Sequence, residues 1–179
     1  MQLDPVVTSS CALVVAVIFA NALVHKLRHP GWFRQQLADY GLLPAALVKP
    51  VARLLPWLEA LIALALLIPV SRSAAAISAA LLLALYAAAI GINLWRGRRD
   101  IDCGCSGPGQ AQPLRPQLLG RNALLITLAV LAACPPLLRD FALFDLFIVI
   151  ASAATGLLLY AAADALMANT PRLMKLIGR

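Results

Sequence analysis

Two cysteines one glycine apart, Cys103 and Cys105, sit in "RRDIDCGCSGPGQ", the stretch from Arg98 to Gln110. Thiols at this spacing can close a small disulfide ring, and Gly104 supplies the backbone freedom that ring needs. The ring is tighter than that of a Cys-x-x-Cys pair, so strain and easy reduction are expected of it. Arg98 and Arg99 favour the thiolate, whereas Asp100 and Asp102 oppose it, so the acidity of the pair has no sign from sequence. Such a pair suits thiol–disulfide exchange. Metal binding is the other chemistry open to it, because His25 and His29 stand four apart and would complete a Cys2His2 set. Cys-x-Cys is shorter than common zinc spacings, however, and His29 precedes Pro30, where a helix is expected to end. Metal binding is the minor reading, and no residue is assigned as a ligand.

Whatever holds these thiols lies in a membrane. Of 179 residues, 62% are hydrophobic and 13% charged. Soluble domains rarely pass about half apolar, so this chain has more apolar surface than one core could hide. Several of its apolar runs approach the roughly 20 residues that cross a bilayer. Five spans are expected, at about Val6–Lys26, Val51–Pro69, Ala74–Trp95, Leu118–Cys134 and Phe141–Ala163. The first reads as a retained span and not a cleaved leader, because "MQLDPVVTSS" carries Asp4 and no Lys or Arg. The alanines of the third span suit close helix packing. The fold class is therefore an all-α integral membrane bundle. Residues 1–179 read as a single transmembrane domain, with an interfacial segment at 28–50 and the Cys-Gly-Cys loop at 96–116.

The formal charge of +7 follows the same plan. With the N-terminus outside, 13 of the 15 Lys and Arg fall in cytoplasmic segments, leaving only Arg72 and Arg139 outside. The positive-inside rule then gives an N-out, C-in topology. Confined to loops and helix ends, with no interleaved Arg and aromatic patch, these cations do not suggest nucleic acid. The bilayer is the partner they fit. Between the first two spans, Trp32, Phe33, Leu37 and Tyr40 recur at helical spacing among polar residues. They predict a short helix on the inner interface, with Trp57 and Trp95 in the same aromatic belt.

Several polar residues fall within the expected spans. Glu59 should lie roughly 12 Å into the membrane, where an ionisable group costs several kcal/mol unless paired, protonated or wetted. Asn21 and His25 share a face of the first span, and Asn93, Arg121 and Asn122 lie near the inner ends of the third and fourth. Together with Lys26 they predict a polar pocket opening inward, with Glu59 at its floor and Arg121 or Lys26 as its counter-ion.

Read in order, "HKL" at 25–27, "YGLLP" at 40–44, "LPWLE" at 55–59, "NLWRGRRDIDCGCSG" at 93–107 and "GRNALL" at 120–125 resemble the MauE methylamine-utilisation membrane proteins. Those are relatives of the DoxX-like four-helix membrane proteins, which implies a four-helix core plus one helix. Ser106 departs from the family pattern, which has an aromatic there. The resemblance implies a multi-pass factor of the bacterial inner membrane for maturation of the methylamine dehydrogenase small subunit, by disulfide formation, processing or export. It also implies a periplasmic thioredoxin-like partner. By motif position it makes Cys103 and Cys105 the thiol pair, and Lys26, Glu59, Asn93, Asp102, Arg121 and Asn122 the polar set.

That client matures outside the cytoplasm, whereas the charge count places the thiol loop inside. Cys11 and Cys134, near the outer ends of the first and fourth spans, offer a second pair if those helices touch. Two pairs on opposite faces would suit electron transfer across the membrane by thiol exchange. The bland alternative is two small apolar cysteines. A different class of function also stands: a transporter or scaffold whose inward pocket takes a small molecule or a quinone. A quinone is the one cofactor considered. No phosphate loop, Ser-His-Asp set or paired catalytic carboxylates are present, which sets hydrolases and nucleotide enzymes aside.

Overall fold

The computed structural model describes residues 2–103 and 113–176, with side chains through residue 169. Its elements are α1 (Pro5–Arg28), α2 (Pro30–Asp39), α3 (Ala45–Leu67), α4 (Arg72–Trp95), α5 (Pro116–Ala133) and α6 (Leu143–Leu176). All except α2 are long and apolar enough to cross a membrane, so the expected five-span, all-helical bundle is found. α1 starts where Asp4 accepts a hydrogen bond from the Val6 amide at 2.8 Å, with Pro5 in the first turn. It ends at His29, and Pro30 opens α2 at once.

α3 begins at Ala45, six residues before the expected start of the second span, because Pro44 caps it with φ −55° and ψ 143°. Lys49 and Arg53 had depressed the hydropathy of its first turns. Pro50 and Pro56 each remove a backbone bond without ending the helix, as membrane helices allow. α6 runs to Leu176, well past Ala163.

α1 is the hub, packing on α3, α5 and α6, while α4 packs chiefly on α5 and α6 chiefly on α1. The shared core is built on small residues: Ala12, Ala16, Ala63, Ala75, Ala76, Ala79, Ala129 and Ala132 are all buried. They let backbones approach, which is what drives helix association where lipid offers no hydrophobic incentive. Gly156 serves the same end on α6, where an added Cβ would already touch Val14 at 3.5 Å. At the N-terminal end of the bundle, Leu3 bonds to Pro135 and Leu137, and Arg139 clasps both Asp4 and Asp145.

The opposite end holds α2 and the cysteine loop. α2 is not merely an interfacial anchor. Phe33, Gln36, Leu37 and Tyr40, on one helical face, turn into the bundle. Gly41, at φ +60°, reverses the chain after it. Arg98 reaches from the end of α4 to the last carbonyls of α2, donating to Asp39 O at 2.8 Å and Tyr40 O at 3.2 Å. These would otherwise be orphaned helix-end acceptors. The base of the cysteine loop is pinned by pairing of Asp102 with Pro113 and by Leu114 N donating to Ile101 O at 3.0 Å.

Candidate functional site

Glu59 of α3 is 1% exposed, and Lys26 of α1 forms an ion pair with its Oε1. Tyr86 of α4 donates to the same oxygen at 2.7 Å. The lysine ammonium lies 4.9 Å from the centre of the Phe33 ring and 5.2 Å from that of Tyr86. A carboxylate and two π faces thus surround one cation, the arrangement that makes a buried ammonium tolerable. Three membrane helices and α2 each supply one part.

This cluster lines a cavity of about 150 Å³. Cys103, Arg121 and Asn122 line the same space, and so do Phe19, Leu83, Leu125 and Tyr160. Cys103 is drawn in from the loop and buried with Tyr40, Ile90, Leu114 and Leu118, and Tyr40 donates to its carbonyl at 3.3 Å. Arg121 reaches it with one guanidinium nitrogen, Nη2, 3.5 Å from the sulfur. Its Nη1 meets Asp164 of α6 at 2.7 Å. Other polar atoms in the cavity wall lack hydrogen-bond partners among the described residues: Glu59 Oε2, Asn122 Nδ2 and Gln36 Oε1. Leaving such groups unpaired in a buried site is costly, and a ligand or water carrying both a donor and an acceptor would satisfy them.

Of the residues expected to form a polar pocket, Lys26, Glu59, Arg121 and Asn122 meet around the cavity with Cys103, and Asn21 stands at its exposed rim. Asn93 and Asp102 do not line it. Asn93 is fully buried and accepts from Arg98 at 3.3 Å, while Asp102 sits in the strand-like pairing at the loop base. Both make their contacts at the ends of the loop and not at the cavity wall. Between the two counter-ions considered for Glu59, the structure selects Lys26. His25 lies outside the cavity, and among the described residues no three metal-binding side chains come together. Cys105, with Gly104 and Ser106, lies outside the described residues.

Cys11 and Cys134 are both free thiols. Their helices do pack, as a second pair would require. The pairing of Leu3 with Pro135 sets Cys134 level with the start of α1, however, and Cys11 lies six residues further along, about 9 Å down the axis. Disulfides span Cα distances of about 4.4–6.8 Å, so a bridge would need the helices to slide.

The family described as "Methylamine utilisation protein MauE" matches residues 4–135, which include every cavity residue up to Leu125. The chain belongs to the MauE family. Among curated MauE relatives, that of Methylophilus methylotrophus is 40% identical over 175 residues, covering 94% of this chain and 89% of the relative. That of Methylorubrum extorquens is 41% identical over 161 residues, covering 89% and 87%. A third, from Paracoccus denitrificans, is 37% identical over 131 residues, covering 73% and 70%. All carry the name "Methylamine utilization protein MauE". No solved structure matches the chain.

In this MauE-family chain the sequence reading missed Tyr86 and Asp164, and took Phe33 and Tyr40 only as rings of an interfacial helix. Tyr86 lies in the alanine-rich "LYAAAIG", where a lone tyrosine looks like an interfacial ring. Asp164 carried a usable signal: it is an ionisable side chain inside a long apolar helix, and such residues face the bundle or water. It lies beyond the family match, as does Tyr160.

Proposed function

We propose that this MauE-family membrane protein carries out thiol–disulfide exchange at Cys103 and Cys105 in methylamine utilisation. The observation that carries the reading is Arg121 Nη2 against Cys103 Sγ at the cavity wall. A guanidinium in that position favours a thiolate, the nucleophilic form. In the forward step, Cys103 thiolate attacks a partner disulfide, making a mixed disulfide and expelling one partner thiolate. Cys105, once deprotonated, attacks the Cys103 sulfur, leaves a Cys103–Cys105 disulfide and releases the second partner thiolate. Two electrons reach the partner; the reverse sequence oxidises it. The relatives' name supports the methylamine setting. The resemblance supplies the client, the disulfide-rich small subunit of methylamine dehydrogenase, and a thioredoxin-like periplasmic partner. The charge asymmetry supports an inner-membrane, N-out topology with the loop at the cytoplasmic face. Exchange with an outer client would then need a further thiol step; Cys11 and Cys134 stand at the opposite end, and would serve it as a pair only if α1 and α5 slide past one another.

A second reading rests on Glu59 Oε2 and Asn122 Nδ2, which lack partners among the described residues: the cavity is a ligand site. The two readings combine if the ligand is a quinone. Two thiols and a quinone give a disulfide and a quinol, with two electrons and two protons transferred. Asn122 would donate to a quinone carbonyl, and Glu59 would accept from a quinol hydroxyl.

Cys103→Ser and Cys105→Ser separate exchange from transport or scaffolding. With either serine variant inserted in the membrane at normal abundance, exchange predicts loss of methylamine dehydrogenase maturation. Undiminished maturation would leave the ligand-site reading alone. Side-specific thiol labelling of Cys103 and Cys105 in intact cells tests the topology.

A further inference from the structure

On the far side of Lys26 lies a second cavity, of about 320 Å³, at the corner between α1, α2 and α3. Arg34, Lys49 and Arg53 line it, and no acidic residue does. None of these three cations has an ion pair or a side-chain hydrogen bond among the described residues. Concentrating them round one hollow is electrostatically unfavourable until an anion enters.

The wall of this hollow is also graded. Lys49, Arg53 and Trp57 follow one another at four-residue steps on one face of α3, and Leu61 continues the row. Trp57 and Leu61 are 63% and 65% exposed. The row therefore passes from two cations through an indole to bare hydrocarbon over about 18 Å of helix. A free phosphate would use only the first part. An anionic phospholipid matches the whole row, with its phosphate among the cations, its glycerol region at the tryptophan and an acyl chain along Leu61.

We infer that the α1–α2–α3 corner is a binding site for the headgroup of an anionic phospholipid, held by Arg34, Lys49 and Arg53. Lys26, which lines both cavities, separates the headgroup from Glu59. The site stands independently of the thiol chemistry.

Full-length protein in mixed micelles, titrated with dioleoyl phosphatidylglycerol and read by native mass spectrometry, tests this. The wild type should retain the anionic lipid and retain dioleoyl phosphatidylcholine far less. Each of R34Q, K49Q and R53Q should weaken retention about fivefold, and the triple variant about a hundredfold. A control triple, R28Q/R96Q/R99Q, removes equal charge from exposed positions outside the cavity and should stay near wild type. Unchanged melting of both triples would show that folding is intact. Equal retention by the two triples overturns the proposal, because lipid would then be held by net charge alone. So does displacement of the lipid by millimolar inorganic phosphate, which would make the corner a free-anion site.

Discussion

Removing one side of the Lys26–Glu59 pair should be far more damaging than removing both. Lys26 is 7% exposed and Glu59 1%, so neither charge can turn to water where it stands. Losing one partner of a buried pair typically costs about 3–5 kcal/mol, because the other charge stays behind without compensation. Among the described residues K26M leaves the carboxylate with the Tyr86 hydroxyl alone, which points to about 4 kcal/mol. E59Q leaves the ammonium over two aromatic faces, which offset part of the loss, so about 3 kcal/mol is expected. K26M/E59Q puts a neutral amide beside a thioether of similar volume and should cost only about 1–2 kcal/mol. The coupling is then roughly 5 kcal/mol, large among pairwise terms. Reversible unfolding of the four proteins in mixed micelles, followed by circular dichroism, measures it. A double mutant as unstable as the two single losses added, within about 0.5 kcal/mol, would refute the reasoning. The cycle for E59Q with R121Q should couple much less, because Arg121 spends its charge on Asp164.

Arg121→Gln should slow alkylation of Cys103 by iodoacetamide about tenfold at neutral pH, since a charged hydrogen bond to the sulfur is worth about 1.5 kcal/mol or more; an unchanged rate would remove Arg121 from the chemistry. Gly41→Ala should destabilise by about 1–2 kcal/mol, because φ is +60° and the new Cβ meets Arg98 Nη1 at 3.0 Å. A melting temperature equal to wild type would contradict this. At the other end, hydrogen bonding from Arg139 holds the Asp4 carboxyl below its ordinary value of 3.8. A lowered folded value means the clasp stabilises fully above 3.8 and is lost as pH falls through the lower value. Asp4→Asn should therefore lower the melting temperature at pH 7 and change it little in strong acid; an equal deficit at both would show that the ion pair is not its cause.

The polar set could be read from the chain because ionisable and amide side chains in apolar helices are expensive, and so stand out by type alone. Which ones meet could not. Glu59 had two cations within plausible reach, and the choice of Lys26 depends on how α1 and α3 are rotated about their axes. Hydropathy does not fix that rotation. Asn93 shows the same limit from the other side: its depth was right, but it faces the loop arginine and not the cavity. The apolar face of α2 was visible as a spacing of Phe33, Leu37 and Tyr40, yet an amphipathic helix can turn the same face to lipid or to protein. Its packing on the bundle is a tertiary choice. Helix ends suffered where composition and geometry part company. α3 starts at a capping proline inside a cationic stretch that a hydropathy window discounts.

Differential alkylation of Cys103 and Cys105, read by mass spectrometry across a glutathione redox series on the intact protein, addresses the proposed chemistry itself. Exchange requires both thiols to disappear and return together, as a two-electron couple, with a shared mass change of two hydrogens. If both stay open to alkylation at every potential, the protein does no thiol–disulfide work at this loop.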